Sequence, residues 1–257
     1  MKMLVNIIAY LVIAIAINFV VFLVAYYRQT DKLTDITWAL TFVVLVSLEL
    51  AKLHSIKPYN LILSLLIYAW AIRLGGFLLN RVLKKGKDSR FDERRASFLG
   101  FMRFWLGQGL AAWVLLLPTF FANAQASASV TLLSILGLIV WVIGLSLETA
   151  ADFQKLFFAR NSANKGRWID TGLWHFARHP NYLGEMLVWA GVYLYCLNTL
   201  SVWQAIIGLA SPLLIYLLLR FVSGVPLLEK SADAKWGKLS AYQNYKKRTR
   251  LIIPLPK

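Results

Sequence analysis

Long apolar segments are the feature that most constrains this chain. A helix of roughly 20 apolar residues is long enough to cross the hydrocarbon core of a bilayer. Seven segments have about this length, at residues 4–27, 35–53, 58–82, 98–122, 130–158, 181–199 and 203–226. The sequence therefore predicts an all-α, polytopic membrane protein with seven transmembrane helices, organised as one integral-membrane domain over residues 1–257.

The distribution of basic residues predicts the orientation in the membrane. The net charge of +16 could suggest a nucleic-acid partner, but the charges lie in short loops between the apolar segments, so we expect none. The 28–34, 81–97 and 155–180 loops and the tail from Arg220 hold 23 of the 28 Lys and Arg residues. By the positive-inside rule these parts face the cytoplasm, beside anionic membrane lipids. The N-terminus is then outside and the C-terminus cytoplasmic. Compact loops predict a multi-pass protein of a bacterial cytoplasmic (inner) membrane.

Ionisable groups within the apolar segments are candidate functional residues, because a charge at membrane depth is costly unless it is paired or lines a cavity. They are Glu49, Arg73, Arg103, Glu148, Asp152 and Glu185. Two alternatives stay open: Arg103 could extend to the interface, and Glu49 could be hydrated near the outer loop. Glu148 and Asp152, four residues apart, share a helix face. Their repulsion predicts a cation or hydrogen-bond donor beside them.

The densest polar segment runs from Asp152 to Gly191. Pro180 disfavours a helical His179 and suits the first turn of the next helix. The side chains in or just after that turn, Asn181, Tyr182 and Glu185, lie where free backbone N–H groups favour an anion. Three guanidinium groups nearby suit phosphate, namely Arg160, Arg167 and Arg178. This pattern predicts a polyanionic ligand, whereas basic residues that only set the topology would not explain the Asn-Tyr-x-Gly-Glu turn.

His179 lacks Cys or His partners at metal-ligand spacing, so we expect no metal site. A hydrogen bond from His179 to phosphate or to the backbone is the favoured interpretation. The chain has neither a Gly-x-Gly-x-x-Gly motif nor a P-loop, so a dinucleotide would be held between helices and loops rather than by a Rossmann or Walker motif. Cys196 is interpreted as a small packing residue.

The motifs resemble those of the steroid 5α-reductase-like membrane family, particularly its bacterial branch. They are Gly172-Leu173-Trp174, then Arg178-His179-Pro180-Asn181-Tyr182-Leu183-Gly184-Glu185 and Trp189-Ala190-Gly191. Further matches are Glu148-x-x-x-Asp152, Ser223-Gly224-Val225-Pro226-Leu227-Leu228-Glu229-Lys230 and Tyr242-x-x-Tyr245. The resemblance covers nearly the whole chain.

The resemblance implies a seven-helix reductase that binds NADPH and transfers a hydride to a C=C bond conjugated to a carbonyl in a steroid-like or isoprenoid lipid taken from the bilayer. It implies NADPH contacts from Asn80, Arg81, Asp152, Arg160, Arg167, Asn181, Tyr182, Glu185, Arg220 and Arg250. A glutamate–tyrosine pair polarises the carbonyl in the related enzymes. Here Glu49 and Tyr68 are the candidates, with Trp70 as the alternative to Tyr68. The Gln-Glu pair of the animal enzymes is replaced by Leu48-Glu49.

A second hypothesis is an S-adenosylmethionine-dependent methyltransferase of a prenylcysteine or lipid substrate, since such membrane enzymes share an Arg-His-Pro-x-Tyr turn. They usually carry a Glu-Glu pair near the tail, where this chain has Glu229-Lys230. A non-catalytic lipid-binding or scaffold protein would leave the Glu148–Asp152 pair without a purpose. A transporter is disfavoured because the sequence shows no internal repeat. No protein partner can be inferred.

Overall fold

The computed structural model describes residues 2–85, 97–125 and 128–253, without the side chains of Lys2 and residues 81–85. Within these ranges the chain is all-helical and contains no strand, which confirms the predicted fold class. The α-helices are α1 Lys2–Tyr27, α2 Thr34–Ala51, α3 Pro58–Lys85, α4 Phe98–Asn123, α5 Leu132–Arg160, α6 Leu173–Phe176, α7 Pro180–Leu197, α8 Val202–Gly208, α9 Ala210–Leu217, α10 Val225–Trp236 and α11 Ser240–Arg248. A 3₁₀ turn spans Ser162–Asn164, and a π-helical segment spans Leu218–Val222.

Six helical stretches among the described residues are long and apolar enough to cross a membrane. They are Met3–Tyr27, Thr34–Ala51, Pro58–Asn80, Phe98–Asn123, Leu132–Arg160 and Val202–Trp236. The remaining predicted segment forms α7 and is not among the six, because its first turns carry polar Asn181 and Glu185. The count of seven and the orientation therefore stay predictions.

Large apolar side chains on these helices face outward. Leu132 and Trp203 are each 74% exposed, and Ile72 is 68% exposed. Soluble monomeric proteins rarely expose contiguous apolar surface of this kind. Lipid would cover it, which indicates an integral membrane protein.

The chain divides into two compact units. Unit 1 comprises Met1–Ser134 and Tyr195–Ser211, and its helices include the contacting pairs α1–α4 and α2–α3. Phe22, Phe101 and Trp105 form one of its buried aromatic cores. Neutral polar pairs also connect its helices: Asn18 Nδ2 donates to Thr41 Oγ1 at 3.1 Å, and Asn60 Nδ2 donates to Asn123 Oδ1 at 3.0 Å.

Unit 2 comprises Ile135–Leu194 and Pro212–Lys257. In it α5 and α7 approach backbone to backbone at glycines. A Cβ atom on Gly184 would lie 2.5 Å from the Glu148 backbone nitrogen, and one on Gly191 would lie 2.6 Å from the Trp141 backbone nitrogen. Neither position has room for a larger residue without displacement of a helix. The predicted single domain over residues 1–257 stays a prediction.

Candidate functional site

The loop before α7 is held in an extended conformation by the returning tail. Pro180 begins α7, as its ring geometry predicts. The backbone N–H of Arg178 donates to the carbonyl of Arg250 at 2.9 Å, and that of His179 donates to Leu251 at 3.0 Å. The N–H of Arg250 in turn donates to Phe176, which completes a short parallel bridge. The tail thus fixes the residues on which the predicted ligand site depends.

A group of charged side chains, which we call the Glu229 clamp, consists of Arg178, His179, Glu229 and Lys246. Glu229 Oε1 lies 3.1 Å from Arg178 Nε and 2.9 Å from His179 Nε2, and Glu229 Oε2 lies 3.4 Å from Lys246 Nζ. Arg178 Nη1 also donates to the carbonyls of Lys246 and Thr249, both at 3.1 Å. With these three hydrogen bonds, the Arg178 side chain joins α10 and α11 to the start of α7. Its predicted contact with a cofactor stays a prediction.

The His179 imidazole is buried, and its ring stacks on Tyr182 with centroids 5.4 Å apart and an interplanar angle of 13°. Among the described residues, Nδ1 is buried without a hydrogen-bond partner. Burial lowers the pKa of His179, and the charges of Lys155 and Arg178 lower it further. The hydrogen bond and the charge of Glu229 raise the pKa but do not outweigh burial. The ring is therefore neutral near neutral pH.

The acidic pair on α5 has the donor that its repulsion predicts. Glu148 and Asp152 are both buried, and Asn181 Nδ2 donates to Asp152 Oδ1 at 3.1 Å. The amide oxygen of Asn181 is itself buried and has no hydrogen-bond partner among the described residues. An orphaned acceptor at a helix start is suited to a ligand hydroxyl or N–H group. No group of three or more His, Cys, Asp and Glu side chains in the described ranges could hold a metal ion.

An aromatic cluster packs the 161–172 loop against the tail. It consists of Trp168, Trp236, Tyr242 and Tyr245, whose neighbouring ring centroids lie 5.1 to 6.3 Å apart. Trp236 Nε1 donates to the carbonyl of Gly166 at 2.7 Å, and the Tyr245 hydroxyl donates to Trp174 at 2.8 Å. Burial raises the pKa of Tyr242 to about 12, so its phenol stays protonated.

The other cofactor candidates in unit 2 differ in exposure. Arg160, Arg167 and the side chain of Arg250 are exposed, whereas Tyr182, Glu185 and Arg220 are partly buried. Arg160 lies over the Phe157 ring at 5.9 Å, and Arg220 lies over the Phe221 ring at 5.0 Å. Two candidates belong to unit 1: Asn80 is exposed in the last two turns of α3, and the side chain of Arg81 lies outside the described part of the chain. Their predicted contacts with NADPH stay predictions.

The two catalytic candidates lie on neighbouring helices, Glu49 on α2 and Tyr68 on α3. Glu49 is buried and faces the hydroxyl of Tyr10, although this contact does not have the geometry of a regular hydrogen bond. Tyr68, in contrast, shares a 2.8 Å hydrogen bond with the exposed Ser47. Ser47 and Glu49 are two residues apart, which is more than half a helical turn. The structure therefore does not bring Glu49 and Tyr68 together.

Sequence reasoning missed Glu229 and Tyr10 as site residues. A signal for Glu229 was present, because Glu229 and Asp233 are the only acids among nine basic residues from Arg220 onward. An isolated acid in such a segment requires a cationic partner if it is buried. Tyr10 had no comparable signal, since an aromatic residue within an apolar helix is ordinary.

Comparison with known proteins assigns a family. A family profile described as "Protein of unknown function (DUF1295)" matches residues 21–249. No curated protein and no solved structure gives a significant match. The chain belongs to this family, which is related to the steroid 5α-reductases.

Proposed function

We propose that this member of the DUF1295 family is an NADPH-dependent membrane oxidoreductase acting on CH–CH groups. It reduces a C=C bond conjugated to a carbonyl in a steroid-like or isoprenoid lipid drawn from the bilayer. The observation that carries the proposal is the start of α7, where Asn181 donates to Asp152 at 3.1 Å and its buried amide oxygen has no hydrogen-bond partner within the described ranges. The relationship of the family to steroid 5α-reductases gives that polar site its chemistry.

The residues of unit 2 fit a dinucleotide. The buried amide oxygen of Asn181 suits a ribose hydroxyl or a carboxamide N–H group. The exposed guanidinium groups of Arg160 and Arg167 suit phosphate. Arg178 is less available, because three of its hydrogen bonds hold the tail. When bound, NADPH supplies the hydride.

We propose Glu49 and Tyr68 as the candidates that polarise the substrate carbonyl. A donor at the carbonyl oxygen stabilises the enolate charge that develops as the β-carbon is reduced. Glu49, buried and facing Tyr10, is the first candidate for this donor, and Tyr68 is the second. Turnover by Glu49→Gln and Tyr68→Phe tests the assignment; full activity in both would show that it is wrong.

The proposal extends to the membrane arrangement. We propose that α7 is the seventh membrane span, with the N-terminus outside and the C-terminus in the cytoplasm, in a bacterial inner membrane. The charge distribution supports this orientation, since 23 of 28 basic residues fall on the predicted cytoplasmic side. Cysteine labelling at His54 and at Ser231 from each side of the membrane tests it, and labelling of both positions from one side would contradict it.

Cofactor choice is the first test of the proposed activity. A ligand that binds only the folded state raises apparent stability by about 2.7 kcal/mol at a hundredfold excess over its Kd. We expect NADPH to stabilise the detergent-purified protein in a thermal-shift assay more than NADH or S-adenosylmethionine does. The effect should be lost in Asn181→Ala. It should be kept in Arg248→Ala, because Arg248 is exposed and its contacts are an exposed ion pair with Asp170 and a position over the Tyr245 ring at 5.9 Å.

Stabilisation by S-adenosylmethionine alone would contradict the reductase proposal. A methyltransferase would then become the working hypothesis. Both hypotheses place the ligand at the start of α7. Asn181→Ala should therefore also lose stabilisation by S-adenosylmethionine, and Arg248→Ala should keep it.

A further inference from the structure

The chemistry of Glu229 determines which atom carries the proton in its hydrogen bond with His179. Arg178 Nε lies 3.1 Å from Glu229 Oε1, and Lys246 Nζ lies 3.4 Å from Oε2. A carboxylate flanked by two cations is ionised and can only accept hydrogen bonds. The 2.9 Å contact with His179 therefore has His179 Nε2 as its donor.

This assignment leaves the other ring nitrogen as an acceptor. In a neutral imidazole one nitrogen is protonated and the other carries a lone pair, and the partner of the first determines the state of the second. The His179 side chain is only 6% exposed, and its Nδ1 has no hydrogen-bond partner among the described residues. Stacking on Tyr182 and the backbone bond from His179 to Leu251 hold the ring in place.

We propose that Glu229 is a positioning residue that holds His179 in the Nε2–H tautomer, so that Nδ1 accepts a hydrogen bond from a hydroxyl or amide N–H group of the bound cofactor. The choice of cofactor rests on the proposed function, whereas the tautomer does not. The burial of His179 and the direction of its pKa agree with a neutral ring.

The proposal changes the role expected for His179. A bare lone pair repels a phosphate oxygen, so His179 does not bind phosphate in this tautomer. It selects instead a part of the ligand that carries a neutral donor, such as a ribose hydroxyl or a carboxamide. Phosphate binding then belongs to the arginines, of which Arg160 and Arg167 are exposed.

¹⁵N NMR of the ligand-free protein, with labelled histidine, tests the tautomer directly. The chain has three histidines, and the exposed His54 and His175 can be replaced to assign the His179 signals. We expect a protonated Nε2 and a bare Nδ1. A protonated Nδ1, alone or in an imidazolium ring, would overturn the proposal without bearing on whether the protein is a reductase.

Ligand titration tests the acceptor role. We expect NADPH to shift the Nδ1 signal and inorganic pyrophosphate to leave it unchanged. A shift caused by pyrophosphate, or NADPH binding without a shift at Nδ1, would overturn the proposal. If NADPH does not bind, the reductase proposal fails, and S-adenosylmethionine becomes the hydroxyl-bearing probe. If this probe also leaves Nδ1 unchanged, the acceptor role is wrong.

A matched pair of variants on α10 separates positioning from stability. In Glu229→Gln the neutral amide can donate as well as accept, so we expect a mixture of His179 tautomers and about tenfold weaker NADPH binding. Asp233→Asn lies one turn further along α10 and changes the partner of Lys246, whose Nζ donates to Asp233 Oδ1 at 2.7 Å and Oδ2 at 2.9 Å, but it leaves the Glu229 carboxylate that bonds to His179 in place. It should keep both the tautomer and the affinity. Equal spectra for the two variants would contradict a positioning role for Glu229.

Discussion

The two units hold polar groups in different ways. Unit 1 connects its apolar helices through neutral pairs, such as Asn18 with Thr41 and Asn60 with Asn123. Unit 2 instead concentrates charge in the Glu229 clamp, where one carboxylate meets three basic side chains. Neutral pairs are inexpensive to bury, whereas charged groups have a large desolvation cost. The comparison assigns a scaffolding role to the neutral pairs of unit 1 and a site-building role to the charged groups of the Glu229 clamp in unit 2.

The largest expected effect of a substitution is at the clamp. Arg178→Ala removes one of the donors to Glu229 and the guanidinium donor to two backbone carbonyls, and we expect it to lower the free energy of unfolding by about 2 to 3 kcal/mol. Denaturant titration in detergent and limited proteolysis of the tail measure this. Arg248→Ala is the control, because its 3.4 Å ion pair with Asp170 is exposed and worth less than about 1 kcal/mol. Equal losses would show that the clamp is no stronger than a surface ion pair.

Helix contact should also distinguish the units. Gly184→Ala places a Cβ atom 2.5 Å from the Glu148 nitrogen in unit 2, and we expect it to cost about 1 to 3 kcal/mol through overpacking. Gly76→Ala in unit 1 meets nothing within 4 Å. It should leave stability unchanged or raise it by about 0.5 to 1 kcal/mol, since alanine favours the helix. Thermal unfolding of the two variants side by side measures the difference; matching midpoints would contradict the close approach of α5 and α7.

A smaller loss is expected for the neutral pairs of unit 1. Asn60→Leu removes the donor to Asn123 and the acceptor of the Lys57 backbone N–H at 3.1 Å. Hydrogen bonds between membrane helices average about 0.6 kcal/mol with a maximum near 1.7. We therefore expect a loss of about 1 kcal/mol in a denaturant titration. Asn198→Leu removes only an exposed bond with Thr131 and should be neutral. If Asn60→Leu lowered the free energy of unfolding as much as Arg178→Ala, the neutral pairs of unit 1 and the charged clamp of unit 2 would not differ in strength.

The smallest effect is a pH dependence from His179. Because burial lowers its pKa in the folded state, the unfolded chain binds the proton more readily. The contribution of His179 to the free energy of unfolding is therefore constant above the pKa of the unfolded chain, about 6.5. The free energy of unfolding falls as the pH drops below that value. Unfolding measured from pH 7.5 to 5 should show a steeper decline for the wild type than for His179→Gln. An identical decline would place the responsible group elsewhere.

The sequence predicted those features that depend on local chemistry. Apolar length predicted the six helices that are long and apolar enough to cross a membrane, and Pro180 predicted the start of α7. The i, i+4 spacing of Glu148 and Asp152 predicted a nearby donor, which is Asn181. These inferences need only a few neighbouring residues.

The features that the sequence did not predict depend on distant contacts. Glu229 meets His179 across 50 positions, and no local pattern indicates that the tail returns to the α7 start. The pairing of Glu49 with Tyr68 required both side chains to share a helix-packing face. Helical phase separates them, since Ser47 bonds to Tyr68 and Glu49 faces Tyr10.

Isotope transfer is the most direct test of the proposed reaction. The purified protein would be incubated with NADPH deuterated at the transferable C4 position and with two probes, a 3-oxo-Δ4 steroid and an isoprenoid enone. Mass spectrometry should find one deuterium at the β-carbon of a reduced product, and Asn181→Ala should abolish its formation. A protein that binds NADPH yet transfers no deuterium to either enone would contradict the account.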